Sequence, residues 1–222
     1  MKQLVIVGAR GYGREVCDLL ENNKDLYRLF VGREVYDPKS LLIKGFLDDK
    51  ADALDGKGCW PPILGAVETY EIQPDDIFFC ALGDSHWRKY YSEMIGRKGG
   101  RFLTVIHKTA MVSPTASIGE GCLISAYSLI SSNVIIGNQV IIQPFSNFGH
   151  DVYVGDYVSI ESYVFLGGYS SVGELSTMHT KSSIVPHKSI GKECVVGIGS
   201  VVMRNFKDGL KVFGNPAQVL KV

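Results

Sequence analysis

One apolar residue recurs at every sixth position from Val112 to Val202. It is aliphatic throughout except for Phe148 and Met178, and no insertion interrupts the sixteen positions. The following residue is glycine eight times, at Gly119, Gly137, Gly149, Gly155, Gly167, Gly173, Gly191 and Gly197. The residue two before is mostly small or β-branched, as at Ala116, Cys122, Ser128 and Val134. A period of six matches neither the 3.6-residue turn of a helix nor the two-residue alternation of an isolated strand. It is the signature of a parallel β-helix built from hexapeptide repeats. Each hexad then supplies a short strand and a turn, with the apolar side chain pointing inward and glycine or a small polar residue turning the corner. Three hexads close a coil, so the stretch predicts roughly five stacked coils around a continuous core. Chance recurrence in a β-sandwich would not hold one register this long.

The first half of the chain has a different grammar. Residues 3–7, Gln-Leu-Val-Ile-Val, read as a buried parallel strand, followed by Gly8-Ala9-Arg10-Gly11-Tyr12-Gly13 and a helix from Arg14 to about Asn22. Glycines let backbone approach a phosphate, and a helix N-terminus favours its charge. The spacing is GxxGxG rather than the dinucleotide GxGxxG, so a phosphate cradle and a tight, ligand-free turn both remain open. Ile43–Leu47 reads as a second core strand ending in Asp48-Asp49-Lys50. Carboxylates at the C-terminal end of such a strand suit a ribose, base or sugar contact, and equally a solvated turn. Ile77–Leu82 is a further apolar strand, Trp87–Lys98 a helix with Asp84 or Ser85 near its cap, and Phe102–Ile106 a last strand. The expectation is a small Rossmann-like α/β domain over residues 1–106 and a β-helix domain over 107–222, with Val219-Leu220 covering the open end.

Composition excludes more than it identifies. Lys and Arg number 23 and Asp and Glu 23, so no electrostatic basis exists for nucleic acid or a membrane surface. The five cysteines are scattered without a CxxC pair, which indicates neither a disulfide framework nor a zinc knuckle. A reducing cytoplasm is the simplest setting. Met1 and Lys2 lead directly into a strand too short for a signal peptide or a membrane span.

Of five histidines, His150 stands out because Asn147-Phe148-Gly149-His150-Asp151 puts it at a coil corner. A corner imidazole, with an ordinary pKa near ~6.5, is free to act as a base. One coil further along the chain lies Gly168. A glycine there leaves the space above the imidazole open and offers a backbone N–H to an oxyanion. Asp151 is placed to orient the ring or to stabilise its cation. A surface histidine in a Gly-His-Asp turn is the competing reading. A three-histidine zinc site within one chain is not supported, because His150 and His187 fall two coils apart and His179 on another face.

Taken together, Gly8–Gly13, Phe46-Leu47-Asp48-Asp49-Lys50, Ala81-Leu82-Gly83-Asp84, Val105-Ile106-His107, Gly149-His150-Asp151 and Gly214-Asn215-Pro216-Ala217 resemble the sialic acid and bacillosamine branch of sugar acetyltransferases. The chain looks most similar to bacterial UDP-4-amino-sugar N-acetyltransferases. The resemblance implies a left-handed β-helix, a homotrimer and acetyl-CoA as cosubstrate in the groove between adjacent prisms, with no metal. It implies His150 as general base with Asp151 as partner, and Gly168, Ser159, Gly173 and Thr180 as acetyl-CoA contacts. A nucleotide-linked amino sugar would lie against Gly11, Tyr12, Gly13, Asp48, Asp49 and Lys50 and reach the active site of an adjacent subunit. Three positions depart from the pattern. Ser159 stands where some relatives carry a second histidine, Tyr12 where some carry a histidine in the glycine turn, and Met178-His179-Thr180-Lys181 where glycine-rich hexads are usual. O-acetylation of sialic acid or another glycan sugar, and a non-catalytic sugar-nucleotide binding trimer, are the alternatives.

Overall fold

The computed structural model describes residues 2–220, which divide into two compact units between Val105 and Ile106. In the N-terminal unit, β1 (Gln3–Val7), β4 (Leu42–Leu47), β5 (Ile63–Gly65) and β6 (Asp76–Cys80) form a parallel sheet in the order β5-β4-β1-β6. Leu4, Val5, Ile6, Phe46, Phe78 and Phe79 are fully buried, as a parallel sheet covered on both faces requires. Between β1 and β4, β2 (Tyr27–Val31) and β3 (Glu34–Tyr36) make an antiparallel hairpin.

Helix α1 spans Gly11–Asn22 and buries Gly13, Val16, Cys17 and Leu20, a stripe at helical spacing. It begins three residues before the Arg14 start read from the sequence. The poor helix propensity of glycine hid this, but Gly13 belongs inside the helix because a Cβ there would collide with the Gly8 carbonyl oxygen. Helix α2 spans Ser85–Arg97, and the Asp84 side chain caps it by accepting from the His86 and Trp87 N–H groups at 2.9 and 3.0 Å. Strand β7, Leu103–His107, leads into the second unit.

The second unit is a parallel β-helix. Its sixteen two-residue strands, from Met111–Val112 to Val201–Val202, follow one another every six residues. They pair in parallel with partners one coil away, as in Asn147↔Phe165, Tyr153↔Ser171 and Ser159↔Thr177, so one coil is 18 residues. Three faces result. Asn147–Phe148 lies on the first, Tyr153–Val154 on the second and Ser159–Ile160 on the third. From Ile124 onward every sixth-residue apolar side chain is buried. The small residues two before them fill the corners from inside: Cys122, Ser128, Val134, Val140 and Ser146 are all buried. Ser146 Oγ donates to the Glu161 carbonyl at 2.8 Å, and Ser176 Oγ to that of Gly191 at 2.8 Å.

The corners turn differently from the expectation. The residue with positive φ is the third after each inward side chain, and it is mostly not glycine: twelve such residues, from Tyr127 to Glu193, have φ between 54 and 64°. The glycines directly after the inward residue do not supply that turn. They are small because the next coil lies against them: a Cβ on Gly149 would stand 2.6 Å from the Gly168 nitrogen, and one on Gly173 2.5 Å from Gly191 C.

A terminal hairpin, β24 (Lys211–Gly214) with β25 (Ala217–Val219), extends the third face. Val212 and Ala217 are its buried apolar contribution. Val219 and Leu220, expected to cover the open end, are 40 and 49% exposed. Val219 pairs directly with the buried Val212 but sits on the last strand of its sheet, with no further strand beside it, and Leu220 lies just past that strand's end.

The two kinds of corner position are separable by mutation. Gly173→Ala should cost more than ~2 kcal/mol, because backbone of the next coil cannot yield to the added methyl. Glu193→Gly, which relieves a left-handed backbone, should change stability by less than ~1 kcal/mol. Denaturant unfolding checks both, and equal losses would contradict this division of roles.

Candidate functional site

Two separate features carry chemistry, one in each unit. In the β-helix, His150 follows the first-face strand Asn147–Phe148 at the corner leading to the second face. Its side chain is 56% exposed, and Nδ1 lies 2.8 Å from Asp151 Oδ2. Asp151 is one of the corner residues with positive φ, at 58°, and its Oδ1 accepts from Asn133 Nδ2 at 3.2 Å, one coil earlier. The His150 hydrogen bond, then that of Asn133, holds the Asp151 carboxyl below the usual carboxylate range. A carboxylate only accepts, so Nδ1 carries the imidazole proton and Nε2 presents the lone pair.

Nε2 faces the position that the 18-residue step assigns to Gly168. A Cβ on Gly168 would lie 2.9 Å from Nε2 and 3.1 Å from Cε1. Among the described residues no acceptor takes up the Gly168 N–H, while its carbonyl accepts from His187 N at 3.0 Å. Basic nitrogen, open space and free N–H therefore meet at one corner. Such a corner suits removal of a proton from an attacking group beside a thioester whose carbonyl oxygen becomes anionic.

The other three residues expected around acetyl-CoA lie elsewhere on the same prism. Ser159 is on the third face, Gly173 at the corner between the second and third, and Thr180 at the corner between the third and first. Thr180 donates through both N and Oγ1 to Glu161 Oε2, each at 2.9 Å, while Glu161 Oε1 lies 2.9 Å from His179 Nδ1. Burial alone would raise the Glu161 carboxyl; the His179 and Thr180 hydrogen bonds outweigh it and hold it down. Among the described residues no group of three His, Cys, Asp or Glu side chains is arranged to hold a metal ion.

In the N-terminal unit a cavity of about 410 Å³ opens at the C-terminal ends of β1, β4 and β6. Tyr12, Asp48 and Asp49 line it; Gly11, Gly13 and Lys50 do not. Asp48 accepts from Ala9 N at 2.9 Å and from Lys50 N at 3.0 Å, so its carboxylate shapes the glycine turn as well as the wall. Tyr12 carries a buried hydroxyl without a partner, and burial raises its pKa. Sequence reasoning passed over the opposite wall. Trp87 and Tyr91 on α2 stack at 5.8 Å and 24°, and Tyr91 Oη donates to Asp49 Oδ2 at 2.7 Å. The signal was available: the Asp84 cap fixes the helix start, and positions 87 and 91 then share one face.

Parallel sheet with glycine turn, followed by a hexapeptide prism, defines the class. The chain is similar to two families over successive stretches: the model for the PglD N-terminal domain matches residues 3–95, and the model for bacterial transferase hexapeptide (six repeats) matches residues 133–168. More particularly, it is 32% identical over 128 residues to the UDP-N-acetylbacillosamine N-acetyltransferase of Bacillus subtilis (strain 168). That match covers 57% of this chain and 52% of the relative, so the chain spans about half of the relative's length. The fold is shared with the acetyltransferase domain of PglB from Neisseria gonorrhoeae FA1090 in complex with acetyl coenzyme A, with TM-score 0.82, 24% identity and 99% of each chain covered. It is shared equally with PerB from Caulobacter crescentus in complex with CoA and GDP-perosamine, with TM-score 0.82, 24% identity, and 100% of this chain and 98% of that one covered.

The open space at Gly168 is directly testable. Gly168→Ala should displace the His150 ring while leaving the melting temperature within about 3 °C, since the methyl meets a flexible side chain rather than backbone. A crystal structure of the variant with the imidazole unmoved would contradict the stacking.

Proposed function

We propose that this chain is an acetyl-CoA-dependent N-acetyltransferase that acts on the amino group of a nucleotide-linked amino sugar. One observation carries the reading: His150 Nε2, left with the lone pair because Asp151 holds the proton on Nδ1, faces the gap over Gly168. The name of the Bacillus subtilis relative supplies the same activity. His150 Nε2 takes a proton from the amine as nitrogen bonds to the thioester carbonyl carbon. The Gly168 N–H receives the oxygen as it becomes negative. Collapse breaks the carbon–sulfur bond, and the proton held by His150 passes to the departing thiolate. The residues present suit acetyl-CoA because the glycine leaves room for a carbonyl where any side chain would block Nε2.

The N-terminal cavity would hold the nucleotide. A base packs against the Trp87–Tyr91 wall, and the phosphates lie toward the glycine turn and the start of α1, whose cap residue Arg10 has no capping side-chain bond. Asp49 offers a carboxylate to the ribose or sugar. A homotrimer is part of the proposal: Ser159, Gly173 and Thr180 lie away from His150 within one prism, and in a trimer a neighbouring copy would bring such positions to the same cosubstrate. No helix is long and apolar enough to cross a membrane among the described residues, and a cytoplasmic setting agrees with the separated cysteines.

His150→Ala should lower kcat by ~10²–10⁴-fold, the usual contribution of a general base, while titration calorimetry shows acetyl-CoA binding nearly unchanged; an unaltered kcat removes His150 from the mechanism. A thermal-shift panel of UDP-, GDP-, dTDP- and CMP-linked amino sugars identifies the acceptor, and a hydroxylamine-sensitive product would mean that a hydroxyl, not an amine, is acetylated. Acidification gives a further check. The Asp151 carboxyl is held below its ordinary value of 3.8, so its contribution to stability is complete above that value and is lost as pH falls through the folded one. Asp151→Asn should therefore flatten the melting temperature against pH below about pH 4 and not above it.

A further inference from the structure

His150 is an exposed side chain with one hydrogen-bond partner, and Gly168 leaves the space over it empty. A single hydrogen bond does not fix an imidazole at an open corner. The structure supplies a second restraint at a position no reading above has used. Tyr169 follows Gly168, and its backbone N donates to the His150 carbonyl at 3.0 Å. Its ring stands perpendicular to the imidazole, at 87° with centroids 5.0 Å apart. The opposite restraint on Tyr169 is His187, stacked at 4.9 Å and 10°. Asn133, Asp151, Tyr169 and His187 are the same corner position in four successive coils, with φ of 60, 58, 60 and 62°. One left-handed backbone repeated at coil spacing sends all four side chains the same way, and the stacking distance of the two rings equals the spacing of neighbouring strands.

We propose that Tyr169 is a positioning residue for the His150 base: its ring, set edge-to-face against the imidazole, limits the imidazole's rotation while Gly168 keeps the space at Nε2 open, and His187 holds that ring in place. The inference rests on the reading of His150 as base. It assigns different duties to neighbours in the column: Asn133 anchors the Asp151 carboxylate, Asp151 fixes the proton on Nδ1, and Tyr169 limits rotation of the ring. The Tyr169 hydroxyl also hydrogen-bonds to Asp151, as the least of the influences that lower that carboxyl, so the restraint on the ring falls chiefly to the aromatic body, and Tyr169→Phe separates the two.

The test reads the ring directly and needs no acceptor. The full chain is labelled with ¹⁵N-histidine, and the His150 signals are identified by their loss in His150→Ala. A released imidazole reverts toward the Nε2–H tautomer that it prefers in water. Wild type and Tyr169→Phe should show the proton on Nδ1 alone. Tyr169→Ala should show a clear Nε2–H population, and His187→Ala a smaller one. An unchanged Nδ1–H signal in Tyr169→Ala overturns the inference, as does equal disturbance by Tyr169→Phe. If Tyr169→Ala does not fold, His187→Ala decides by the same signal. With UDP-N-acetylbacillosamine as the acceptor probe, Tyr169→Ala should lower kcat by ~10-fold or more with KM for acetyl-CoA within about twofold, as misplacement of a base does, and Tyr169→Phe should restore it. Parallel rises in KM would make Tyr169 a contact to the cosubstrate and overturn positioning. Full activity of His150→Ala sinks the base reading without touching the tautomer result, so the two failures are distinguishable.

Discussion

The backbone ladder between coils is the interaction on which everything else depends. Each strand of two residues contributes almost nothing alone; its hydrogen bonds go to the strands 18 residues before and after it. The pairing brings residues one coil apart into columns, and each column has its own chemistry. The inward column is aliphatic, the column two before it is small, and the column directly after it is often glycine because carbonyls and amides of the next coil press against it. The corner column carries a left-handed backbone that costs a non-glycine residue roughly 1 kcal/mol or more. The prism tolerates it twelve times because bonds to neighbouring coils hold each corner, as Asp151 N to Ser132 O and Tyr169 N to His150 O do.

The fold was legible because one residue type in one column repeats often enough to declare the period. The corner was not legible in the same way. Its conformation is imposed by closure of the triangle, and Tyr, Asn, Gln, Phe, Leu, Lys and Glu all occupy it without a common signature. Glycine attracted attention as a turn former, yet its role here is to admit a neighbouring backbone. Similarly, the start of α1 disappeared behind two glycines, one of which is there because strand and helix touch.

For the site, the step of 18 residues was enough to place Gly168 over His150, and the adjacent Asp151 needed no structure at all. What the sequence did not yield was direction. Asp48 reads equally as a ligand carboxylate and as part of a solvated turn, and its two oxygens accept backbone N–H groups, one from the glycine turn after β1 and one from its own turn. In the sequence Trp87 and Tyr91 are covered only by a helix over Trp87–Lys98, and they prove to line the cavity. The two histidine–carboxylate pairs show the difference geometry makes. His179 meets Glu161 across coils, and that carboxylate is also occupied by Thr180. His150 meets Asp151 beside it in the chain, with nothing but glycine over the free nitrogen. Similar residue types make a closed hydrogen-bonded cluster in one case and an open corner in the other.

The columns also restrict how such a chain can change in length. Adding a single residue to a coil would slide every later side chain into another column, so growth or loss without disruption comes in whole turns of the prism. A duplicated turn near the carboxyl end would lengthen the stack and leave the imidazole with its present neighbours. The same duplication inserted between His150 and Gly168 would put a different residue above the ring. An added turn between Asn133 and Asp151, or between Tyr169 and His187, would likewise part neighbours that now stack at coil spacing.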